Sequence, residues 1–161
     1  MGCGQWRKCV SLSRPYICVY GVAWSPNGRF IASGGEGGDR TNMLVWEATT
    51  GRLIYSYPNA INVSALVWSP DNKRIACTSN NEVHVWDASN GAHLYIYKGH
   101  ENEVFSLTWS PDGKRIGSSD GTIHIWDALD GRHVFTYKGH ATAAISWSPD
   151  NTRIASCGNS S

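Results

Sequence analysis

Tryptophan recurs along this chain in two regular series, and no other feature limits its fold so sharply. Trp-Ser-Pro occurs at Trp24, Trp68, Trp109 and Trp147, at spacings of 44, 41 and 38 residues. A second series, Trp46, Trp86 and Trp126, follows Val or Ile, precedes Glu or Asp, and is spaced at 40 and 40. Between the units lie Leu53–Tyr57, Leu94–Tyr97 and Val134–Tyr137, each shortly after a glycine at 51, 91 or 131. A period near forty residues marks a repeat architecture in which each unit is one supersecondary module.

Every module carries strand-like runs divided by turn residues, here called a, b, c and d. The a runs are Val19–Trp24, Val63–Trp68, Val104–Trp109 and Ala143–Trp147. The b runs are Phe30–Ser33, Arg74–Thr78, Arg115–Ser118 and Arg153–Cys157. The c runs are Met43–Trp46, Val83–Trp86 and Thr122–Trp126, and the runs between units supply d. The a–b turns begin Ser-Pro-Asn or Ser-Pro-Asp, where proline presets φ and Gly28 or Gly113 accepts a positive φ. Asp71, Asp112 and Asp150 are read as turn formers in these connections. No stretch follows a 3.6-residue helical period. Runs such as Val83-His84-Val85-Trp86 are apolar on both faces, so each small sheet needs cover on both sides. Stacking like sheets supplies it.

Gly-His at 99–100 and 139–140, Trp-Ser-Pro-Asp, and Trp-Asp at 86–87 and 126–127 resemble the WD-repeat β-propeller family, over roughly Val19 to Cys157. The resemblance implies an all-β partial propeller of four-stranded antiparallel blades, strand a innermost and strand d outermost. It divides a single domain, 1–161, into an N-terminal segment (1–14), three complete blades (15–58, 59–98, 99–138) and a partial fourth (139–161). Cys9–Leu12 aligns with the d strands. The resemblance also implies a hydrogen-bonded His, Ser/Thr, Asp and Trp inside each blade. Only the third unit supplies all four, as His100, Ser118, Asp120 and Trp126. A buried imidazole needs partners on both ring nitrogens and an indole N–H needs an acceptor, so this structural tetrad outweighs a hydrolytic triad of the same His, Asp and Ser. In the second unit Cys77 takes the hydroxyl position and Asn80-Asn81 replaces Asp-Gly.

Three and a half units fall short of the 4–8 blades of known rings. A piece or remnant of a longer ring without independent activity, self-association through open propeller ends, and a four-bladed ring with one defective blade all follow as readings. An open arc leaves two apolar blade faces and unpaired edges exposed.

A net charge of +1, with Lys and Arg scattered singly or in pairs, argues against a nucleic-acid surface. No apolar run is long enough for a membrane span, so no membrane partner is expected. Five cysteines without a Cys-x-x-Cys read as reduced thiols, and the chain is expected in the cytoplasm. No cofactor or metal is expected. Gly34–Asp39 matches a calcium β-roll core in a single copy only, and the six histidines fall at repeat-equivalent positions. The a strands offer Ser64, Ser106, Thr108 and Ser146 but no His, Asp, Glu or Lys, which argues against an enzyme. The function that the resemblance implies is a scaffold binding protein partners through its d–a and b–c loops. The candidate residues are Arg14, Tyr16, Glu36, Arg40, Asn59, Ile61, Glu101, Asn102 and Glu103, with Tyr16 and Ile61 as apolar anchors.

Overall fold

Each tryptophan-marked module folds as a small antiparallel sheet whose strands follow one another in chain order. The structure, a computed structural model, describes residues 18–36, 43–57, 60–139 and 141–159. The strand expected at Cys9–Leu12 lies outside them. The described residues form fourteen strands and no helix. The first sheet holds β1 (Cys18–Trp24), β2 (Phe30–Glu36), β3 (Met43–Glu47) and β4 (Leu53–Tyr57). The second holds β5 (Leu66–Trp68), β6 (Arg74–Ser79), β7 (Glu82–Asp87) and β8 (His93–Tyr97). The third holds β9 (Ser106–Trp109), β10 (Arg115–Ser119), β11 (Ile123–Asp127) and β12 (His133–Tyr137), and β13 (Ala141–Trp147) pairs with β14 (Ile154–Asn159) in a two-stranded sheet. Neighbouring sheets approach most closely through β1 and β5, β5 and β9, and β9 and β13, so the a strands are innermost. The fold is a partial propeller.

The a–b turns show why Ser-Pro-Asx recurs. In all four, the serine hydroxyl bonds the side chain two residues on and accepts the N–H of the residue five on (Phe30, Arg74, Arg115 or Arg153) at 2.9 Å. The fourth turn residue has a positive φ each time: 69° at Gly28, 63° at Asn72, 72° at Gly113 and 62° at Asn151. Asparagine tolerates that conformation better than other residues with a side chain, which lets the turn survive without glycine.

Two a strands start later than the pattern predicts, at Leu66 and Ser106 in place of Val63 and Val104. The Val63 N–H donates to Gly35 O (3.2 Å) and the Val104 N–H to Asn80 O (2.8 Å), each in the preceding blade. Thr142 repeats the contact with Gly121 O at 3.2 Å. These amides tie blade to blade, Thr142 from within β13, and just before β5 the N–H groups of Ser64 and Ala65 bond Thr78 Oγ1. Gly34 permits the first such contact, because a Cβ there would lie 2.5 Å from Val63 Cγ1.

The core sits between sheets. Met43, Val45, Tyr57, Val63, Ile75 and Trp86 fill the first gap. Val83, Val85, Tyr97, Val104, Ile116 and Trp126 fill the second. Trp68 stacks on Phe30 at 6.3 Å and donates to Ala23 O at 3.3 Å. Its counterpart Trp24 is 57% exposed, together with Val22 on the same strand. At the other end Phe135 and Tyr137 border a cavity of about 440 Å³ shared with Trp147 and Arg115.

Candidate functional site

Antiparallel order places the d–a and b–c connections along one edge of every blade and the a–b and c–d turns along the other. Of the residues expected at a binding surface, Glu36, Ile61, Glu101, Asn102 and Glu103 are exposed along the first edge. Arg14, Tyr16, Arg40 and Asn59 lie outside the described residues.

The described loops are knitted to one another. Ile61 N–H donates to Ser79 Oγ (2.9 Å), Asn62 Nδ2 to Asn80 Oδ1 (2.9 Å), and Asn102 N–H to Asp120 Oδ2 (3.1 Å). Ser64 Oγ bonds Glu103 Oε1 at 3.1 Å, joining the loops of the second and third blades. None of Glu36, Glu101 and Glu103 forms an ion pair with a described cation. Between Glu101, Asn102, Asp120, His124 and Lys138 lies a cavity of about 200 Å³.

Two aromatic residues on this edge were missed by the sequence reading. Tyr20 is 60% and Phe105 39% exposed. Both stand four residues before the a-strand tryptophan, a position filled by Ser64 and Ala143 in the other units. In β1 and β13 that residue is the extra one at a register shift, so its side chain is not held in the ladder. Aligning the repeats on tryptophan exposes the signal: two large rings where the other copies are small. The Tyr20 hydroxyl donates to Glu36 Oε2 at 3.3 Å, and the carboxylate beside it raises the phenol pKa.

Inside the third blade the structure brings together all four residues of the expected tetrad. His100 Nε2 is 2.7 Å from Ser118 Oγ, His100 Nδ1 is 3.2 Å from Asp120 Oδ1, and Trp126 Nε1 donates to Ser118 Oγ at 2.9 Å. Burial works to raise the Asp120 pKa, but the N–H groups of Thr122 and Asn102 and the adjacent His100 outweigh it and hold the carboxyl below its ordinary range. Ser118 and Trp126 are fully buried, so the serine hydroxyl presents no face to a substrate. His124 stacks on His100 at 4.1 Å and its Nδ1 lies 2.8 Å from the Tyr97 hydroxyl of the blade before.

The other blades are simpler. Trp46 Nε1 donates to Ser33 Oγ at 2.8 Å. Trp86 Nε1 is buried with no conventional hydrogen-bond acceptor, because Cys77 occupies the serine position and a thiol sulfur accepts only weakly. Burial pushes the Cys77 thiol up to about 12, against a small opposing pull from the indole. His84 Nε2 lies 3.2 Å from Glu82 Oε2, and Lys98 Nζ holds the other oxygen of that carboxylate, Oε1, at 2.9 Å. Burial lowers the His84 pKa despite that carboxylate. Among the described residues no three His, Cys, Asp or Glu side chains are grouped to hold a metal.

The sequence matches the family model WD40 (WD domain, G-beta repeat) in four segments, 8–44, 51–87, 91–127 and 131–161. The middle two span β4–β7 and β8–β11, so the repeat in sequence begins one strand before the blade in space. Telomerase protein component 1 of Rattus norvegicus is 30% identical over 95 residues, covering 56% of this chain and 3% of its own length. Small ribosomal subunit protein RACK1y of Oryza sativa subsp. japonica is 32% identical over 69 residues, 43% of this chain and 20% of its own. Cell division cycle 20.1, cofactor of APC complex, of Arabidopsis thaliana is 32% identical over 90 residues, 53% and 20%. The crystal structure of RRP9 WD40 repeats superposes with a TM-score of 0.75 at 22% identity, over 84% of this chain and 43% of that one. The chain thus spans a fifth or less of these curated relatives and under half of the solved one. With four matched segments over most of the sequence, and stacked four-stranded sheets that house them, the chain belongs to the WD40 family of WD-domain, G-beta repeats.

Proposed function

We propose that this chain is a non-enzymatic scaffold that binds protein partners through the edge carrying its d–a and b–c loops. WD40 proteins typically act as protein-interaction scaffolds, and two relatives bear names that place them in larger assemblies, a ribosomal subunit and a cofactor of the APC complex. The observation that carries the reading is the exposure of Tyr20 at the bulge of β1 and of Ile61 and Phe105 in the d–a connections, where the Ile61 N–H bonds Ser79 Oγ and the Phe105 N–H bonds Ser119 O. Apolar side chains held on a rigid frame are the usual anchors of an interface. Burial and hydrogen bonding of His100 and Ser118 support a structural role for the tetrad. The free thiols of Cys18, Cys77 and Cys157 suit a reducing, cytoplasmic setting.

Affinity capture from a cell extract tests it. Ile61→Ser with Phe105→Ser should remove partners that wild type retains. Lys73→Glu with Lys114→Glu, on the opposite edge, should keep them. Loss with the second pair alone would refute the assignment.

The outer sheets favour a second mode, self-association, since Val22, Trp24, Phe135 and Tyr137 are all exposed. Sedimentation at rising concentration tests that mode, with Trp24→Ser expected to reduce the associated fraction.

A further inference from the structure

The loop from Lys98 to Phe105 runs from the outer strand of the second blade to the inner strand of the third, and it links two unlike features. At its outer part, Glu101 and Asp120 line the cavity of about 200 Å³, with Lys138 also on the wall. At its inner end Phe105 is exposed, and Glu103 near it bonds the Ser64 hydroxyl. The inner rim continues without a break. Val63 joins Gly35 through its amide, and the neighbouring Glu36 meets Tyr20. Two carboxylates, Glu36 and Glu103, therefore lie along one rim with an aromatic ring near each, Tyr20 and Phe105. The described lysines on this edge, Lys98 and Lys138, follow d strands; Lys98 is held by Glu82, and Lys138 is the one on the cavity wall.

We infer that this rim binds an extended, basic segment of a partner protein, with an Arg or Lys head in the Glu101–Asp120 cavity and an apolar side chain against Phe105. This rests on the scaffold reading above and names the class of partner. The chemistry follows from complementarity. In the cavity Glu101 and Asp120 outnumber Lys138. Glu36, Glu101 and Glu103, exposed and without an ion pair to a described cation, attract a cationic segment and repel nucleic acid and acidic peptides. An exposed ring beside them takes apolar area that a basic tail alone would not bury. Asp120 already bonds His100 and Asn102 N–H, which fixes its carboxylate as a wall of the cavity. Four peptide steps separate Glu101 from Phe105, at most about 15 Å. A strand rises about 3.3 Å per residue, so the basic and apolar side chains of the segment stand no more than about four positions apart.

A positional-scanning library of fluorescein-labelled nonapeptides, read by anisotropy on the intact chain, tests the inference. Selected peptides should carry Arg or Lys within four positions of Leu, Ile, Phe or Trp, and their binding should weaken as salt rises. Glu101→Lys and Phe105→Ala should each weaken binding at least about tenfold. Circular dichroism should stay unchanged, because both side chains are exposed. Neutral or acidic selected peptides that still need Phe105 would overturn the basic-segment inference and leave the scaffold reading standing. Selected peptides indifferent to both substitutions, or no selection at all, would overturn the inference; indifference would also count against the loop edge itself.

Discussion

Tyr97 at the end of the second blade lies flat against Trp126 of the third, with ring centroids 4.4 Å apart and planes 4° from parallel. The pair is buried, and the tyrosine hydroxyl reaches His124 Nδ1 at 2.8 Å. Tyr57 meets Trp86 one gap earlier, edge-on at 5.0 Å. Blade-to-blade cohesion in this chain is thus aromatic at the d and c strands and backbone-mediated at the loop edge. Neither kind of contact is available to an isolated blade, which is why repeats of this type stabilise one another as a stack.

Tyr97→Ala should cost about 3–5 kcal/mol, the range for emptying a buried aromatic site. Tyr137→Ala, the same position one blade on but 43% exposed, should cost less than about 1 kcal/mol. Chemical denaturation of both variants measures the contrast. Equal losses would show that the Tyr97–Trp126 gap contributes no more than an open face.

Cys77→Ser should stabilise the chain. The serine oxygen would stand where Ser33 and Ser118 accept an indole N–H, and it would satisfy Trp86 Nε1. A satisfied buried donor is worth about 1 kcal/mol, equivalent to about 2–4 °C in Tm for a chain of this size. Thermal unfolding followed by tryptophan fluorescence is the measurement, and a lowered Tm would contradict the assignment of Trp86 as an unsatisfied donor.

Ser118→Ala and Ser33→Ala remove the same atoms but should not cost the same. Among the described side chains Ser33 Oγ serves Trp46, whereas Ser118 Oγ serves both His100 and Trp126. Each stranded buried group costs about 1–3 kcal/mol, so Ser118→Ala should exceed Ser33→Ala by about that amount. A double-mutant cycle with His100→Ala should then show strong coupling at Ser118 and none at Ser33.

Most of the fold was legible because tryptophan, Ser-Pro-Asx and Gly-His report on local geometry within one module. The tetrad was legible for the same reason, since His100, Ser118, Asp120 and Trp126 all belong to one blade. What the pattern could not show lies between modules. The amides of Val63, Val104 and Thr142 bond carbonyls in the preceding blade. The Tyr97–His124 contact likewise crosses a gap whose width no periodicity encodes. Tyr20 and Phe105 belong to an intermediate class. Their position before the tryptophan was visible, but their exposure depends on leaving the ladder at the inner rim.

Acid should unfold the chain through groups such as Asp120. Its folded pKa is held below the ordinary 3.8 by Thr122, Asn102 and His100, which prevail over burial. A depressed carboxylate contributes stability fully above the unfolded value, and that contribution is lost as pH falls through the folded one. Asp120→Asn should therefore lower stability at pH 7 and flatten its decline below about pH 4. Urea titrations across that range give the slope directly, and an unchanged slope would remove Asp120 from the acid transition.

The alkaline limb should belong in part to Cys77 and Tyr97. Burial raises the thiol from 9.0 to about 12 and the phenol from 10.0 to about 12, so both stay neutral in the fold while the unfolded chain ionises. A raised acid contributes fully below its unfolded pKa and loses that contribution as pH climbs toward the folded value. Stability should hold to about pH 9 and then fall by up to about 1.4 kcal/mol per pH unit for each group. Cys77→Ser, which has no thiol to ionise, should delay the onset toward pH 10 while leaving the acid limb in place. Urea midpoints between pH 8 and 11 distinguish the outcomes, and coincident curves for wild type and variant would show that Cys77 ionises as readily in the blade as in the unfolded chain.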